Sequence, residues 1–206
     1  MVEPYLRRSP LAHLGLRARA ASQTGVVAEA EVLLGERPHR CQINLRGNAA
    51  DPAFLDAVRQ ATGLDLPQLP NSVARGNELR ALWLGPNEWL VIGPAGRETD
   101  LVRSLRTSLL GQHAAVTDVS EARTCILVAG AKARELLARG ISLDLHPRVF
   151  GPGRCGQTGM AGANIIIEQI DDRPGFEIAV LNSFADHLWR WLERAGEDYR
   201  IAVAGD

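Results

Sequence analysis

One local pattern constrains the fold of this chain more than any other feature, because it occurs twice. I-N-L-R-G (43–47) reads as a short strand ending at a glycine. Asp51-Pro52 then supplies a helix N-cap and a proline at the first helical position. Phe54, Val58 and Ala61 recur at i, i+4 and i+7, and Gly63 suits the residue just past a helix end. C-I-L-V-A-G (125–130) starts the pattern again. Ala131 to Arg139 reads as a helix with Ala133, Leu136 and Leu137 inward and Gly140 as its stop. Each copy then reaches Leu-Asp-Leu, at 64–66 and at 143–145, so the markers recur after about 80 residues.

The segments beyond the two markers are also alike. After the first comes a hairpin over 81–92, A-L-W-L-G-P-N-E-W-L-V-I, with Pro and Asn at the centre of its turn. Both faces of its strands are apolar, which predicts a sheet covered on both sides. Asp100 to Leu110 reads as a helix with Val102, Leu105 and Leu109 on one face. After the second marker come an apolar run (Asn164 to Ile170), a D-D-R-P-G turn and a strand (Phe176 to Leu181). The last helix spans Phe184 to Ala195, with Ser183 and Asp186 spaced as a capping box and Gly196 as its stop. The pattern predicts an α+β fold of two tandem β-α-β-β-α units, each a split βαβ, ferredoxin-like module. The expected division is an N-terminal polar arm over 1–25 and units over 26–115 and 116–206, together one compact domain. Residues 26–34 fit helix or strand equally.

The aromatic residues ask for a role. Two of the four tryptophans, Trp83 and Trp89, flank the hairpin turn, where core or interface filling is the expected use. In the last helix Phe184, Leu188, Trp191 and Leu192 form one stripe with Trp189 at its edge. That stripe is wide enough for a core or a partner interface.

Catalytic and metal motifs are missing. The histidines (His13, His39, His113, His146, His187) show no metal spacing, and no G-x-S-x-G occurs. His187 is expected on the solvent side of the last helix, and His146, before Pro147, in a turn. Ser120 has Asp118 nearby but no assigned base. G-P-G-R-C-G (151–156) matches G-x-G-x-x-G, but a strand-like segment comes after it where a nucleotide site needs a helix. A net charge of −1 argues against nucleic acid as partner. Cys41, Cys125 and Cys155 lie far apart without a C-x-x-C, which suits a reduced, cytoplasmic setting. The start carries no apolar stretch of a signal peptide, and no run approaches the ~20 apolar residues of a membrane span.

Several phrases in order resemble the gamma subunits of heterotetrameric sarcosine oxidases. They are R-R-S-P-L-A-H (7–13), L-W-L-G-P-N-E-W-L-V (82–91), D-V-S-E-A-R-T (118–124), G-I-S-L-D-L-H-P-R-V-F (140–150), G-R-C-G-Q-T (153–158) and S-F-A-D-H-L-W-R-W-L (183–192). The resemblance implies a fold like the folate-binding part of aminomethyltransferases. It implies a non-catalytic subunit, with no catalytic, cofactor or metal residues of its own, in a complex that oxidatively demethylates sarcosine to glycine. Hydrogen peroxide and methylenetetrahydrofolate are the other products. FAD, FMN, NAD and zinc are implied in the other subunits, and the alpha, beta and delta chains are the implied partners, with no nucleic acid or membrane. Arg7, Arg8, Pro10, Leu11 and Trp189 are the expected partner contacts. The alternative is a stand-alone folate-binding one-carbon or iron–sulfur maintenance protein of the same fold. For that reading Glu168, the carboxylate of N-I-I-I-E-Q, and Cys155 would have to reach a ligand.

Overall fold

The computed structural model describes residues 7–23, 25 and 27–205. The first six residues and position 24 of the expected arm, position 26 at the start of the first unit and position 206 at the end of the second lie outside the described residues.

The local signals produce the elements they announce. Asp51 caps α2 (Pro52–Thr62) by accepting the Ala53 amide at 2.9 Å, and Gly63 closes it at φ +71°. The hairpin is β4 (Arg80–Gly85) and β5 (Glu88–Gly93), with Pro86 and Asn87 between them. α3 spans Glu98–Ser108, two residues earlier than expected, and its buried face holds Leu101 rather than Val102, with Leu105 and Leu109. α4 (Ala133–Ala138) buries Ala133, Leu136 and Leu137. The ambiguous stretch resolves into a 3-10 turn at Val27–Glu29 and then β1 (Val32–Arg37).

α5 (Asn182–Ala195) corrects the expected capping box. Leu181 is its N-cap with no side-chain bond, and Asp186 instead bonds His13 and Arg190. The face that packs on the sheet is Ala185, Leu188, Trp189 and Leu192, an i, i+3, i+4, i+7 set turned from the expected stripe. Trp189 is therefore central and fully buried, Phe184 is exposed, and Trp191 lies against Gly140. A Cβ on Gly140 would sit 2.4 Å from the Trp191 ring, which is why this helix stop is a glycine.

The remaining strands are β2 (Cys41–Arg46), β3 (Val73–Arg75), β6 (Ala115–Asp118), β7 (Arg123–Ala129), β8 (Cys155–Met160), β9 (Ala163–Asp171), β10 (Gly175–Leu181) and β11 (Ile201–Val203). One sheet runs β6-β2-β5-β4-β3 and the other β1-β7-β10-β9-β8, with β11 added beside β1. The order is the same in both. Yet β6, which precedes β7 in the chain, pairs with β2, and β1, which precedes β2, pairs with β7. Sequence units and sheets are thus not coextensive: each half lends its leading strand to the other sheet.

Two short links make these crossings. In 38–40, His39 takes φ +58°, a left-handed turn that re-aims the chain. In 119–122, the Ser120 hydroxyl donates to Asp118 at 2.6 Å and accepts the Gln42 amide at 2.9 Å. The phrase D-V-S-E-A-R-T is this second crossing.

α2 and α3 cover the outer face of the first sheet, around Phe54, Val58, Trp89 and Leu105. α4 and α5 cover the outer face of the second, around Ile126, Ile167, Leu188 and Trp189. Between the sheets lies a thin apolar layer of Leu82, Leu90, Ile92, Cys125, Cys155, Ile166 and Ala179. The result is four layers, helices–sheet–sheet–helices, which explains why both hairpin faces are apolar.

Candidate functional site

The N-terminal segment folds back onto the second half of the chain. α1 (Leu16–Ser22) comes after a 3-10 turn at Ala12–Leu14, and Leu11, Leu14, Leu16 and Ala20 pack on the α5-side core. Polar ties hold it: Ser9 donates to Glu36, and Arg19 meets Glu193 at 2.5 Å. The Gln23 side chain accepts the Val203 amide at 2.8 Å. Arg7 bonds Glu121 at 2.5 Å and Glu98 at 3.3 Å, joining α3 to the second crossing link. Partial burial opposes the charge on Arg7, but the bonds to Glu121 and Glu98 outweigh it and raise its pKa.

This docking leaves a cleft of about 690 Å³ lined by Arg7, Arg8, Leu11, Leu16, Glu36 and His39, with Ala204 and Gly205 beside them. Three expected partner contacts therefore meet: Arg7, Arg8 and Leu11. Pro10 is half-buried between them in the chain. Leu11 and Trp189 are fully buried in the chain's own core, so as side chains they hold the fold and do not face outward. The arm read as merely polar carries the apolar anchor Leu11 at a spacing that marks neither helix nor strand.

A second cluster lies between the sheets and was not foreseen. Arg80 bonds both Glu168 and Glu177, and Arg75 bonds Glu168 at 2.5 Å. Glu168 and Glu177 come from β9 and β10, and the arginines from β3 and β4. Two guanidiniums thus balance two carboxylates, of which Glu168 is 1% exposed. A signal existed in the sequence, since Glu168 and Glu177 each interrupt an otherwise apolar run. Both oxygens of Glu168 are occupied by arginine. Glu168 is thus committed to the clamp between the sheets.

Cys155 is equally committed. Its thiol contacts the carbonyls of Ser72 and Trp83 at 3.5 Å, inside the layer between the sheets. Burial pushes its pKa up to about 12, and burial likewise lifts Cys41 to about 12 and Cys125 to about 11. Thiolates are the nucleophilic and metal-binding form, so these are inert thiols. Iodoacetamide at about pH 8 should leave all three unmodified in the folded chain and label them after denaturation. Rapid native labelling of Cys155 would contradict the placement. The raised folded values set the sign with pH. The thiols' contribution to stability is intact below about pH 9 and fades as pH climbs toward 11–12, because the unfolded thiols ionise first.

The remaining sequence candidates are structural. Ser120 builds the crossing link. His146 shapes a turn, with its amide bonding Asp144 at 2.8 Å and its ring Nδ1 accepting the Arg148 amide at 3.2 Å. His187 is exposed, with Nε2 2.8 Å from the Ala161 carbonyl. G-P-G-R-C-G leads into β8, so no helix end is available for a pyrophosphate. Among the described residues no group of three His, Cys, Asp or Glu is placed to hold a metal, and no helix is long and apolar enough to cross a membrane.

Comparison with known proteins matches this geometry. Residues 46–198 match the family described as sarcosine oxidase, gamma subunit family. The sarcosine oxidase subunit gamma of Corynebacterium sp. strain U-96 is 31% identical over 198 residues, 96% of this chain and 93% of that one. The corresponding subunit from an Arthrobacter species is 31% identical over 188 residues, 91% of this chain and 88% of that one. Among solved structures, a chain of the heterotetrameric sarcosine oxidase from Corynebacterium sp. U-96, in complex with pyrrole 2-carboxylate, superposes with a TM-score of 0.83 at 30% identity. The match covers 97% of this chain and all of that one. The glycine cleavage system aminomethyltransferase T from Bartonella henselae shares the fold at a TM-score of 0.73 and 18% identity, over 97% of this chain and 60% of that one.

Proposed function

Since this chain belongs to the sarcosine oxidase gamma subunit family, we propose that it serves as the non-catalytic gamma subunit of a heterotetrameric sarcosine oxidase. In this reading it supports assembly of the complex that demethylates sarcosine to glycine. The observation that carries the reading is the likeness over essentially the whole of both chains to a member of such a complex. The commitment of Glu168, Cys155 and Ser120 to internal bonds supports the absence of chemistry in this subunit.

The alpha, beta and delta chains are the partners in this reading, and they hold FAD, FMN, NAD and zinc. The assembly works in the cytoplasm. The cleft bearing Arg7 and Arg8, with Pro10 beside it, is the proposed contact on the arm side. We also propose that 26–115 and 116–206 are two copies of one ancestral unit behind an arm of 1–25. The common strand order and the reciprocal loan of β1 and β6 support this.

Purifying the complex with and without this chain tests the role. Without it, the yield of assembled complex should fall at least about tenfold, with turnover per intact complex unchanged. A complex that assembles and turns over equally well in its absence refutes the proposal.

A further inference from the structure

Two phrases of the sequence, D-V-S-E-A-R-T and G-R-C-G-Q-T, have ends that meet outside the cluster and cleft described above. Arg123 opens β7 and stands opposite Leu181, the last residue of β10. Asn164 of β9 stands opposite Gly159 of β8, and Ile165 opposite Thr158. Together with Gln157 they line a shallow recess of about 480 Å³ at one end of the second sheet. By strand alternation Arg123, Leu181 and Gln157 share a face with Cys125, Ala179 and Cys155, the face turned to the first sheet. Cover by the first sheet ends at this row: Ala179 is 4% exposed but Leu181 is 38% exposed, and the space at Gly159 is open. Gln157 Nε2 donates to the Leu84 carbonyl at 2.9 Å, tying the rim to β4.

The recess is short of negative charge. Arg123 is half-buried, and its guanidinium makes no hydrogen bond or ion pair among the described residues. Its field reaches Glu88, but the two Glu88 oxygens already accept from Asn44 at 2.7 Å and from Arg46 at 2.5 Å. A guanidinium carries five donors in a fork that matches a carboxylate. Asn164 is exposed and also makes no side-chain hydrogen bond among the described residues. Beside this polar group Leu181 offers apolar area. Phe184, three residues on at the start of α5, is 41% exposed.

Resting on the gamma-subunit reading, we infer that this recess receives an acidic side chain and an adjoining aliphatic residue from another subunit of the complex. The carboxylate pairs with Arg123 and is flanked by the amides of Asn164 and Gln157, and the aliphatic residue covers Leu181. Charge complementarity selects the partner. The shallow form and the exposed apolar residues favour a protein segment over a small free anion.

Affinity of the purified full chain for its tagged partner subunits tests this. Arg123→Glu should weaken binding at least about tenfold and Arg123→Lys less, whereas Arg103→Glu, on the exposed face of α3, should stay within about twofold of wild type. Unfolding curves matching wild type exclude a folding defect. A wild-type chain that fails to bind counts against the gamma-subunit reading itself. Wild-type binding with Arg123→Glu within about twofold of it overturns this inference alone. Independently of Arg123, a photo-crosslinker (p-benzoylphenylalanine) at position 164 in the assembled complex should capture a partner peptide containing Asp or Glu. Capture only of a second copy of this chain, or of no chain, also overturns the inference.

Discussion

Trp89→Ala is expected to cost the fold about 3–5 kcal/mol, read as a lowered midpoint in urea unfolding. Trp89 is fully buried at the centre of the core formed by the first sheet and its helices. Its ring lies 5.8 Å from that of Phe54 on α2, and its Nε1 donates to the Pro67 carbonyl at 2.8 Å. Alanine would leave a cavity between strand and helix and orphan a carbonyl in the loop after α2. Trp89→Phe separates the two effects: the ring volume is largely kept, and the cost should fall to about 1–3 kcal/mol, the penalty of the lost partner. Trp83 stands directly opposite on β4 but is only half-buried, so Trp83→Ala should cost clearly less. If Trp89→Ala unfolded within about 1 kcal/mol of wild type, the placement of this residue would be wrong.

The buried charge cluster gives the second large effect. Glu168→Ala would leave Arg80, largely buried, with half its partners, and should destabilise by about 3–5 kcal/mol. Arg75, which bonds the same carboxylate, is 37% exposed, and solvent can replace its partner. Arg75→Ala should therefore cost about 0–1 kcal/mol. The contrast between two ends of one ion pair is the test, measured by denaturant unfolding of both variants. Added salt should change the Glu168 effect little, because the cluster is shielded from mobile ions. Equal costs for the two variants would show that water reaches Glu168.

The cluster also bears on function. It commits both oxygens of Glu168, the carboxylate of N-I-I-I-E-Q, to clamping β9 and β10 to β3 and β4. Cys155 shows the same diversion, with its thiol buried in the contact between the sheets. These side chains are ones that a site-oriented reading of the sequence singles out, and their surroundings turn them into fasteners.

Much of the local structure was legible residue by residue. Asp51-Pro52 and Gly63 bound α2 because a cap and a left-handed stop depend only on neighbouring backbone. The double-sided apolar hairpin announced a sheet covered on both faces. The ordered phrases pointed to the family. The capping box before α5 failed because Ser183 lies inside the helix, which begins at Asn182, and a spacing of four letters does not say where a helix starts. Trp189 moved from the edge of a stripe to its centre because packing on the sheet, not the period, chose which face of α5 is buried.

What the chain's own letters determined is the kind of each element, where most of them start and stop, and that two similar sets occur in succession. Those properties arise from backbone sterics and side-chain periods acting within a few residues. Tertiary structure alone decided that β1 and β6 change places between the sheets, that Leu11 anchors the arm, and that Arg75 and Arg80 find Glu168 and Glu177 more than 80 residues away. Strand pairing and burial of charge depend on which surfaces meet across the whole molecule. An alternating apolar strand carries the same pattern whichever sheet it joins.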